Sequence, residues 1–183
     1  MSELPLLNRA ALFAAEKHKH QTRDGEAALP YVAHCFEVAS NLRIIGGELN
    51  EDILCAAILH DTIEDTEATY EEVAAQFGER VADIVASVTR DEPSEEETEG
   101  LSKEEIWELR NYMFAQELVT MPLNGRKIKL ADRLSNVREG ARTRPGPKHE
   151  RYVRQTQMIL TIIPRETNAA LWDAIAREID LID

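Results

Sequence analysis

A short segment, AILHDTIEDTE at residues 57–67, ends an apolar stretch with four titratable side chains: His60, Asp61, Glu64 and Asp65. Apolar positions before them recur at helical spacing, which places His60 and Asp61 on the buried face of a predicted helix. Glu64 and Asp65 follow on the same side if the helix continues. An unpaired buried carboxylate is strongly disfavoured or takes up a proton. A divalent metal would remove that cost, because it holds Asp as the anion and His as a neutral ligand.

Two more candidate ligands lie elsewhere in the chain. His34 lies in PYVAHC, within a predicted helix, and Asp132 interrupts the apolar stripe of KIKLADRLSNV. A single inward His or Asp is more often a hydrogen-bonded core residue than a ligand. Together with His60 and Asp61, however, they form a set of two histidines and two carboxylates from three helices. Such mixed nitrogen and oxygen ligation suits Mn²⁺, Fe²⁺ or Zn²⁺.

The composition restricts the partners and the compartment of the protein. The chain has 183 residues, of which 43% are hydrophobic and 30% charged, and its net charge is −13. A general DNA- or RNA-binding surface needs clustered positive charge, so no nucleic-acid partner is predicted. Cys35 and Cys55 both fall in predicted helices, which argues against a disulfide scaffold. With no signal peptide and no apolar run of membrane length, we predict a cytoplasmic protein without a membrane partner, and leave a homo-oligomer open.

The hydrophobic pattern is helical along nearly the whole chain, and neither strand alternation nor a repeat stands out. It predicts a single all-α domain over residues 1–183. The predicted helices cover about residues 4–19, 31–45, 51–63, 69–78, 79–89, 102–119, 123–140, 149–163 and 166–181. Ser102 and Glu105 have the spacing of a capping box. Residues 91–100, DEPSEEETEG, are so rich in acids that they predict a solvated, mobile loop.

Positive charge is concentrated in one part of this acidic protein. Between Arg126 and Arg154 there are ten Lys and Arg residues and only three acids. Ordinary solvated helix faces would explain this pattern, and so would attraction of a phosphate-rich ligand. The residues alone leave both interpretations open.

Three segments together resemble a known family. The order His, His-Asp, Asp is similar to the signature of the HD superfamily of metal-dependent phosphohydrolases. The longer forms HKHQTRDGEAALPYVAH, LHDTIEDT and KLADRLSNV resemble the (p)ppGpp hydrolase domain of the RelA/SpoT family, in the same order and over roughly residues 4–160. Plain HD phosphatases usually lack the paired acids of HDTIEDT and the Asn of ADRLSN. At this length the chain looks like a stand-alone small alarmone hydrolase of the Mesh1 type, so a single-domain HD helical bundle is expected.

The resemblance implies hydrolysis of the 3′-diphosphate of ppGpp or pppGpp, giving GDP or GTP and pyrophosphate, usually with Mn²⁺. It implies that Glu64 and Asp65 orient and deprotonate the attacking water. The metal ligands that it implies are His34, His60, Asp61 and Asp132.

The same resemblance assigns substrate contacts. It places Arg23 against the guanine base and Asn136 against the nucleotide near the metal. Lys129, Arg133 and Arg138 are weaker candidates for phosphate contacts, since surface salt bridges would explain each of them equally well.

Departures from the family pattern leave other functions open. Asp24 follows Arg23 where relatives often have Lys or Ser, Cys35 follows His34 where they commonly have Pro, and the acidic segment 91–100 has no assigned counterpart. One alternative is therefore a phosphatase of the same fold that acts on NADPH or another nucleotide. The other is an HD domain that binds a nucleotide without turnover, although no metal ligand or catalytic acid is missing from the motifs.

Overall fold

The computed structural model describes residues 4–23, 29–143 and 146–181. Within these ranges the regular structure is helical apart from an isolated bridge between Thr22 and Pro30, which confirms the all-α prediction. The α-helices are α1 (Leu6–Lys17), α2 (Val32–Ser40), α3 (Glu51–Leu59), α4 (Thr62–Asp65), α5 (Tyr70–Phe77), α6 (Glu79–Ala86), α7 (Glu95–Thr98), α8 (Lys103–Thr120), α9 (Leu123–Thr143), α10 (Pro147–Ile162) and α11 (Ala169–Glu178). A π-helical turn, Asn41–Ile45, extends α2, and a 3-10 turn, Arg165–Thr167, precedes α11. None of the described helices is long and apolar enough to cross a lipid bilayer.

Helix α3 forms the centre of the fold. All its residues from Ile53 to Leu59 are buried, and it packs against α1, α2, α6 and α9. A helix that is apolar on every side is stable only when other elements surround it. Side chains of α10 and α11 complete the same hydrophobic core. The end of α3 therefore delivers the next residues, His60 and Asp61, into the interior of the protein.

Helix α3 ends at Leu59, about one turn earlier than the sequence predicted. His60 and Asp61 form a turn, in which Asp61 has φ −98° and ψ 0°. Two side chains bind backbone carbonyls here: His60 Nδ1 lies 3.0 Å from Ala57 O, and Thr62 Oγ1 donates to Leu59 O at 2.6 Å. Such local bonds compete with the hydrogen bonds that would continue a helix. The prediction of one continuous helix through these residues was therefore wrong.

The acidic segment 91–100 is partly helical. Ser94 and Glu97 form a capping box that starts α7, so the prediction of a loop over the whole segment was wrong. Three glutamates in the first turn of α7 favour the helix, because carboxylates interact well with a helix N-terminus. The predicted capping box of Ser102 and Glu105 is confirmed at the start of α8.

Candidate metal centre and substrate pocket

The four side chains predicted as metal ligands meet at the end of α3. His34 comes from α2, His60 and Asp61 come from the turn after α3, and Asp132 comes from α9. One ligand atom from each of His34, His60 and Asp132 lies within 4.8 Å of the other two. Asp61 Oδ2 lies 2.9 Å from His60 Nε2 and 3.5 Å from His34 Nε2. Three separate elements thus bring the whole predicted set together.

The outer nitrogens of both imidazoles are occupied by hydrogen-bond acceptors. His60 Nδ1 lies 3.0 Å from Ala57 O, and His34 Nδ1 lies 3.0 Å from Ser135 Oγ. The Ser135 hydroxyl itself donates to Glu37 Oε2 at 2.8 Å, so it accepts from His34. Each Nδ1 therefore carries a hydrogen, which leaves Nε2 as the atom of each ring that faces the carboxylates and can bind a metal. Outer hydrogen bonds of this kind fix the tautomer of metal-binding histidines.

The chemistry of this donor set, two imidazole nitrogens and two carboxylates, fits a divalent cation. His60 Nε2 is buried and has no hydrogen-bond partner among the described residues, although Asp61 Oδ2 lies only 2.9 Å away. The two atoms are close but poorly aligned for a hydrogen bond. When His60 is neutral, its Nε2 lone pair and the carboxylate oxygen repel each other at this separation unless a cation binds both atoms.

Two further side chains hold the carboxylates in place. The Tyr31 hydroxyl donates to Asp61 Oδ2 at 2.7 Å, and Asn136 Nδ2 donates to Asp132 Oδ1 at 2.5 Å. Each carboxylate therefore has a fixed orientation towards the histidines. Partners of this kind contribute to metal affinity without touching the metal.

Charge within the cluster shifts the pKa values of its members in opposite directions. Burial disfavours a charged imidazole, but the carboxylates of Asp132 and Asp61 outweigh it and raise the pKa of His34 to about 9. Burial also disfavours charged carboxylates, but the histidines outweigh it and hold the pKa of Asp61 and of Asp132 well below the usual range, with Lys129 helping at Asp132. Without a metal, His34 is therefore protonated at neutral pH, and its proton lies where a metal would bind.

Asp65 lies next to this cluster on the exposed side. The Tyr31 hydroxyl that binds Asp61 also lies 3.1 Å from Asp65 Oδ2, so one hydroxyl lies between two carboxylates. Partial burial, followed by the charges of Asp61 and Glu64, raises the pKa of Asp65. A carboxylate with a raised pKa and access to solvent is suited to take a proton from water.

Glu64 faces the same pocket but is ion-paired. Arg90 Nη2 lies 2.9 Å from Glu64 Oε1, and the Arg90 guanidinium also lies over the ring of Phe114, 5.4 Å from its centroid. Glu64 is thus a fixed carboxylate, whereas Asp65 is held by a single hydroxyl. The two predicted catalytic acids differ in their surroundings, which indicates different tasks.

These groups line one cavity of about 240 Å³. Helix α9 contributes Lys129, Asp132, Arg133 and Asn136 to the lining, so basic and acidic groups alternate along it. His34 and His60 are buried behind Asp61 and Asp132. The lining residues are Tyr31, Asp61, Glu64, Asp65, Arg90, Phe114, Lys129, Asp132, Arg133, Asn136, Tyr152 and Gln155. The cavity therefore offers both metal-binding and phosphate-binding chemistry.

Not every predicted substrate residue reaches this cavity. Lys129 and Asn136 line it, but Arg23 does not. The Arg23 guanidinium binds Glu139 through Nε and Nη2, each at 2.6 Å, and its side chain is 8% exposed. Arg138 pairs with Glu178 on the surface. Asp24, the departure next to Arg23, lies outside the described residues.

Several contributors to the site were not predicted. Tyr31 lies three positions before His34, which is helical spacing and could have marked it. Ser135 stands directly before Asn136 in a segment already singled out. Arg90 and Gln155 carry no sequence signal of their own, because only tertiary packing brings them to the cavity.

Comparisons with known proteins agree with this geometry. The sequence profile of the HD domain family matches residues 10–163. The guanosine-3′,5′-bis(diphosphate) 3′-pyrophosphohydrolase MESH1 of Xenopus tropicalis is 37% identical over 154 residues, covering 84% of this chain and 80% of that protein. The bifunctional (p)ppGpp synthase/hydrolase SpoT of Escherichia coli is 35% identical over 157 residues, covering 84% of this chain and 20% of SpoT. A solved structure of a metazoan SpoT ortholog that hydrolyzes ppGpp has a TM-score of 0.82 at 29% identity, and the match covers 100% of this chain and 99% of that one.

Proposed function

The chain belongs to the HD domain family, and we propose that it hydrolyses the 3′-diphosphate of ppGpp and pppGpp to give GDP or GTP and pyrophosphate. The observation that carries the proposal is the presence of Glu64 and Asp65 in the same cavity as Asp61 and Asp132. Metal binding alone would not require these two acids. The activities named for the MESH1 and SpoT relatives support the same reaction.

Mn²⁺ is the ion that we expect in this site. Two imidazole nitrogens and two carboxylates suit Mn²⁺, Fe²⁺ or Zn²⁺, and the resemblance to the (p)ppGpp hydrolases favours Mn²⁺ among them. When bound, the ion lowers the pKa of a water molecule towards about 7 and polarises a phosphoryl oxygen. The residues that would hold it are His34, His60, Asp61 and Asp132.

Asp65 is the residue that would accept the proton of the attacking water. Its raised pKa makes it a stronger base than an ordinary aspartate, and the Tyr31 hydroxyl orients it. Glu64, fixed by Arg90, would orient the same water. The water oxygen forms a bond to the phosphorus on the 3′ oxygen, and the bond between that phosphorus and the 3′ oxygen breaks. The 3′ oxygen takes up a proton from solvent as pyrophosphate leaves, and Asp65 returns its proton to solvent.

The substrate contacts follow from the lining of the cavity. Asn136 holds Asp132 and faces the cavity, so it would contact the nucleotide near the metal. Lys129 is 5% exposed and faces the same space, so a phosphate oxygen is the natural partner for its ammonium group. A contact between Arg23 and the guanine base stays a prediction, since Glu139 now occupies two of its donors.

Three broader predictions accompany this function. A single hydrophobic core supports the treatment of residues 1–183 as one hydrolase domain. A cytoplasmic location and a homo-oligomer stay predictions from the sequence.

Product analysis tests the proposed reaction. The purified chain is loaded with Mn²⁺ and incubated with ppGpp, and the products are separated by ion-exchange chromatography. We expect GDP and pyrophosphate. The alternative phosphatase would release inorganic phosphate, from NADPH or another nucleotide, and a non-catalytic domain would leave ppGpp unchanged although its metal is bound.

A further inference from the structure

The guanidinium of Arg133 is buried without enough partners. Arg133 follows Asp132 on α9, lines the cavity and is only 6% exposed. Its Nε and Nη1 have no hydrogen-bond partner among the described residues. Burying charged N–H groups without acceptors is costly, so a position of this kind indicates a ligand that supplies them.

Three helices hold this guanidinium in one place. Arg133 Nη2 donates to Gln155 Oε1 of α10 at 2.9 Å, and Gln155 Nε2 donates to Asn111 Oδ1 of α8 at 2.5 Å. The ring of Tyr152 packs against the guanidinium, 4.6 Å from ring centroid to Cζ. The guanidinium is therefore held by a fixed support on the wall of the cavity rather than by a mobile surface side chain. Such preorganisation lowers the entropic cost of binding an anion.

Charge in the cavity indicates which ligand fits. Arg90 is neutralised by Glu64, whereas Arg133 and the equally buried Lys129, one helical turn before it, bring positive charge to the same wall. Asp132 lies between them on the same helix, so the basic wall adjoins the metal centre. A cavity of about 240 Å³ is smaller than the usual site for a whole drug-sized ligand, about 300–1,000 Å³. A diphosphate group fits in a space of this size, and its negative charge matches the basic residues there.

We propose that Arg133, supported by Gln155 and Tyr152 and assisted by Lys129, forms a subsite for the 3′-diphosphate that leaves as pyrophosphate. This inference rests on the proposed function and names where its leaving group binds. It also explains the unpartnered nitrogens, because phosphate oxygens are strong acceptors for a guanidinium. The subsite holds inorganic pyrophosphate as a product.

Binding of inorganic pyrophosphate tests the subsite directly. The full chain is loaded with Mn²⁺, freed of excess metal and titrated with pyrophosphate by calorimetry. We expect Arg133→Gln to raise the Kd for pyrophosphate by about tenfold or more, since it removes hydrogen bonds to a charged ligand. Arg133→Lys keeps the charge but not the planar guanidinium, so we expect an intermediate loss.

Arg138→Gln is the matched control. It removes the same charge from the same helix, but Arg138 pairs with Glu178 on the surface and does not line the cavity. We expect its Kd for pyrophosphate to stay within about twofold of the unmodified protein, because Arg138 does not line the cavity and Glu178 already pairs with its charge. If both Gln variants raise the Kd for pyrophosphate equally, the effect comes from net charge alone and the proposed subsite is wrong.

The outcomes separate this inference from the proposed function. If the unmodified protein converts ppGpp to GDP but Arg133→Gln binds pyrophosphate unchanged, the subsite is wrong and the function stands. If pyrophosphate binding depends on Arg133 but ppGpp is not hydrolysed, the function is wrong and the anion subsite stands. Circular dichroism checks the fold of each variant. If Arg133→Gln fails to fold, Arg133→Lys decides, and pyrophosphate binding unchanged in that variant overturns the role of the guanidinium.

Discussion

Arg90 fixes the carboxylate of Glu64 with three hydrogen bonds. Its Nε and Nη2 donate to Oε1 at 3.0 and 2.9 Å, and its backbone N–H donates to Oε2 at 3.1 Å. The pair is separated by 26 positions in the chain and only 15% of the Glu64 side chain is exposed. Glu64 therefore has one defined orientation in the cavity, which a residue that positions a water molecule needs.

Removal of the Arg90 side chain should loosen Glu64 and slow the reaction. We expect Arg90→Ala to lower kcat for ppGpp about tenfold with a smaller change in KM, because the backbone N–H still holds one oxygen. Arg90→Lys should recover part of the rate. Steady-state kinetics measure the effect, with Arg110→Ala as the control, since Arg110 forms an exposed pair with Glu92. An unchanged kcat in Arg90→Ala would refute this role.

The hydrogen bonds from His34 through Ser135 to Glu37 should strengthen metal binding. Ser135→Ala and Glu37→Gln each weaken the support of the His34 ring, so we expect about tenfold lower Mn²⁺ affinity in each. Competition with a chromogenic chelator measures it without any turnover. Glu178→Gln changes the same charge at a surface pair and should bind Mn²⁺ normally. If Ser135→Ala and Glu37→Gln bind Mn²⁺ as tightly as Glu178→Gln does, the Ser135 hydroxyl does not support the metal site.

Metal binding should release a proton near neutral pH. The pKa of His34 is raised to about 9 in the metal-free protein, so below that pH a proton must leave before the metal binds. Protons therefore compete with the metal, and apparent affinity should rise with pH, by about tenfold per unit between pH 6 and 8 for one displaced proton. Calorimetry in buffers of different ionisation enthalpy counts the protons. An affinity that does not change over this range would contradict the assignment.

The ionised side chain of Asp65 should destabilise the folded protein at neutral pH, although catalysis requires it. Its pKa is raised in the folded state, so the unfolded chain ionises first as the pH rises, and the folded state loses relative stability through that window. We expect Asp65→Asn to abolish turnover yet melt slightly higher at pH 7 in the metal-free protein, by on the order of 1 °C, because solvent screens this exposed group. The difference should vanish below the ordinary aspartate pKa of about 3.9. A lower melting temperature at pH 7 would contradict this account.

Much of the fold could be predicted from the sequence because its helices have clear apolar periods and caps. The metal cluster was predictable too, since His34, His60, Asp61 and Asp132 each interrupt an apolar pattern. The break of α3 was not predictable, because it depends on side-chain bonds to carbonyls that compete with the helix. The partner of Glu64 was not predictable either, since an ordinary arginine at the edge of an acidic segment becomes its partner only through tertiary packing.

The origin of the oxygen in pyrophosphate shows whether water attacks the phosphorus that is bound to the 3′ oxygen. The Mn²⁺-loaded chain and its Asp65→Asn variant are incubated with ppGpp in ¹⁸O-enriched water, and the products are analysed by mass spectrometry. We predict GDP without label, pyrophosphate carrying a single ¹⁸O atom, and no turnover by the variant. Release of inorganic phosphate, label in GDP, or intact ppGpp with the metal bound would contradict it.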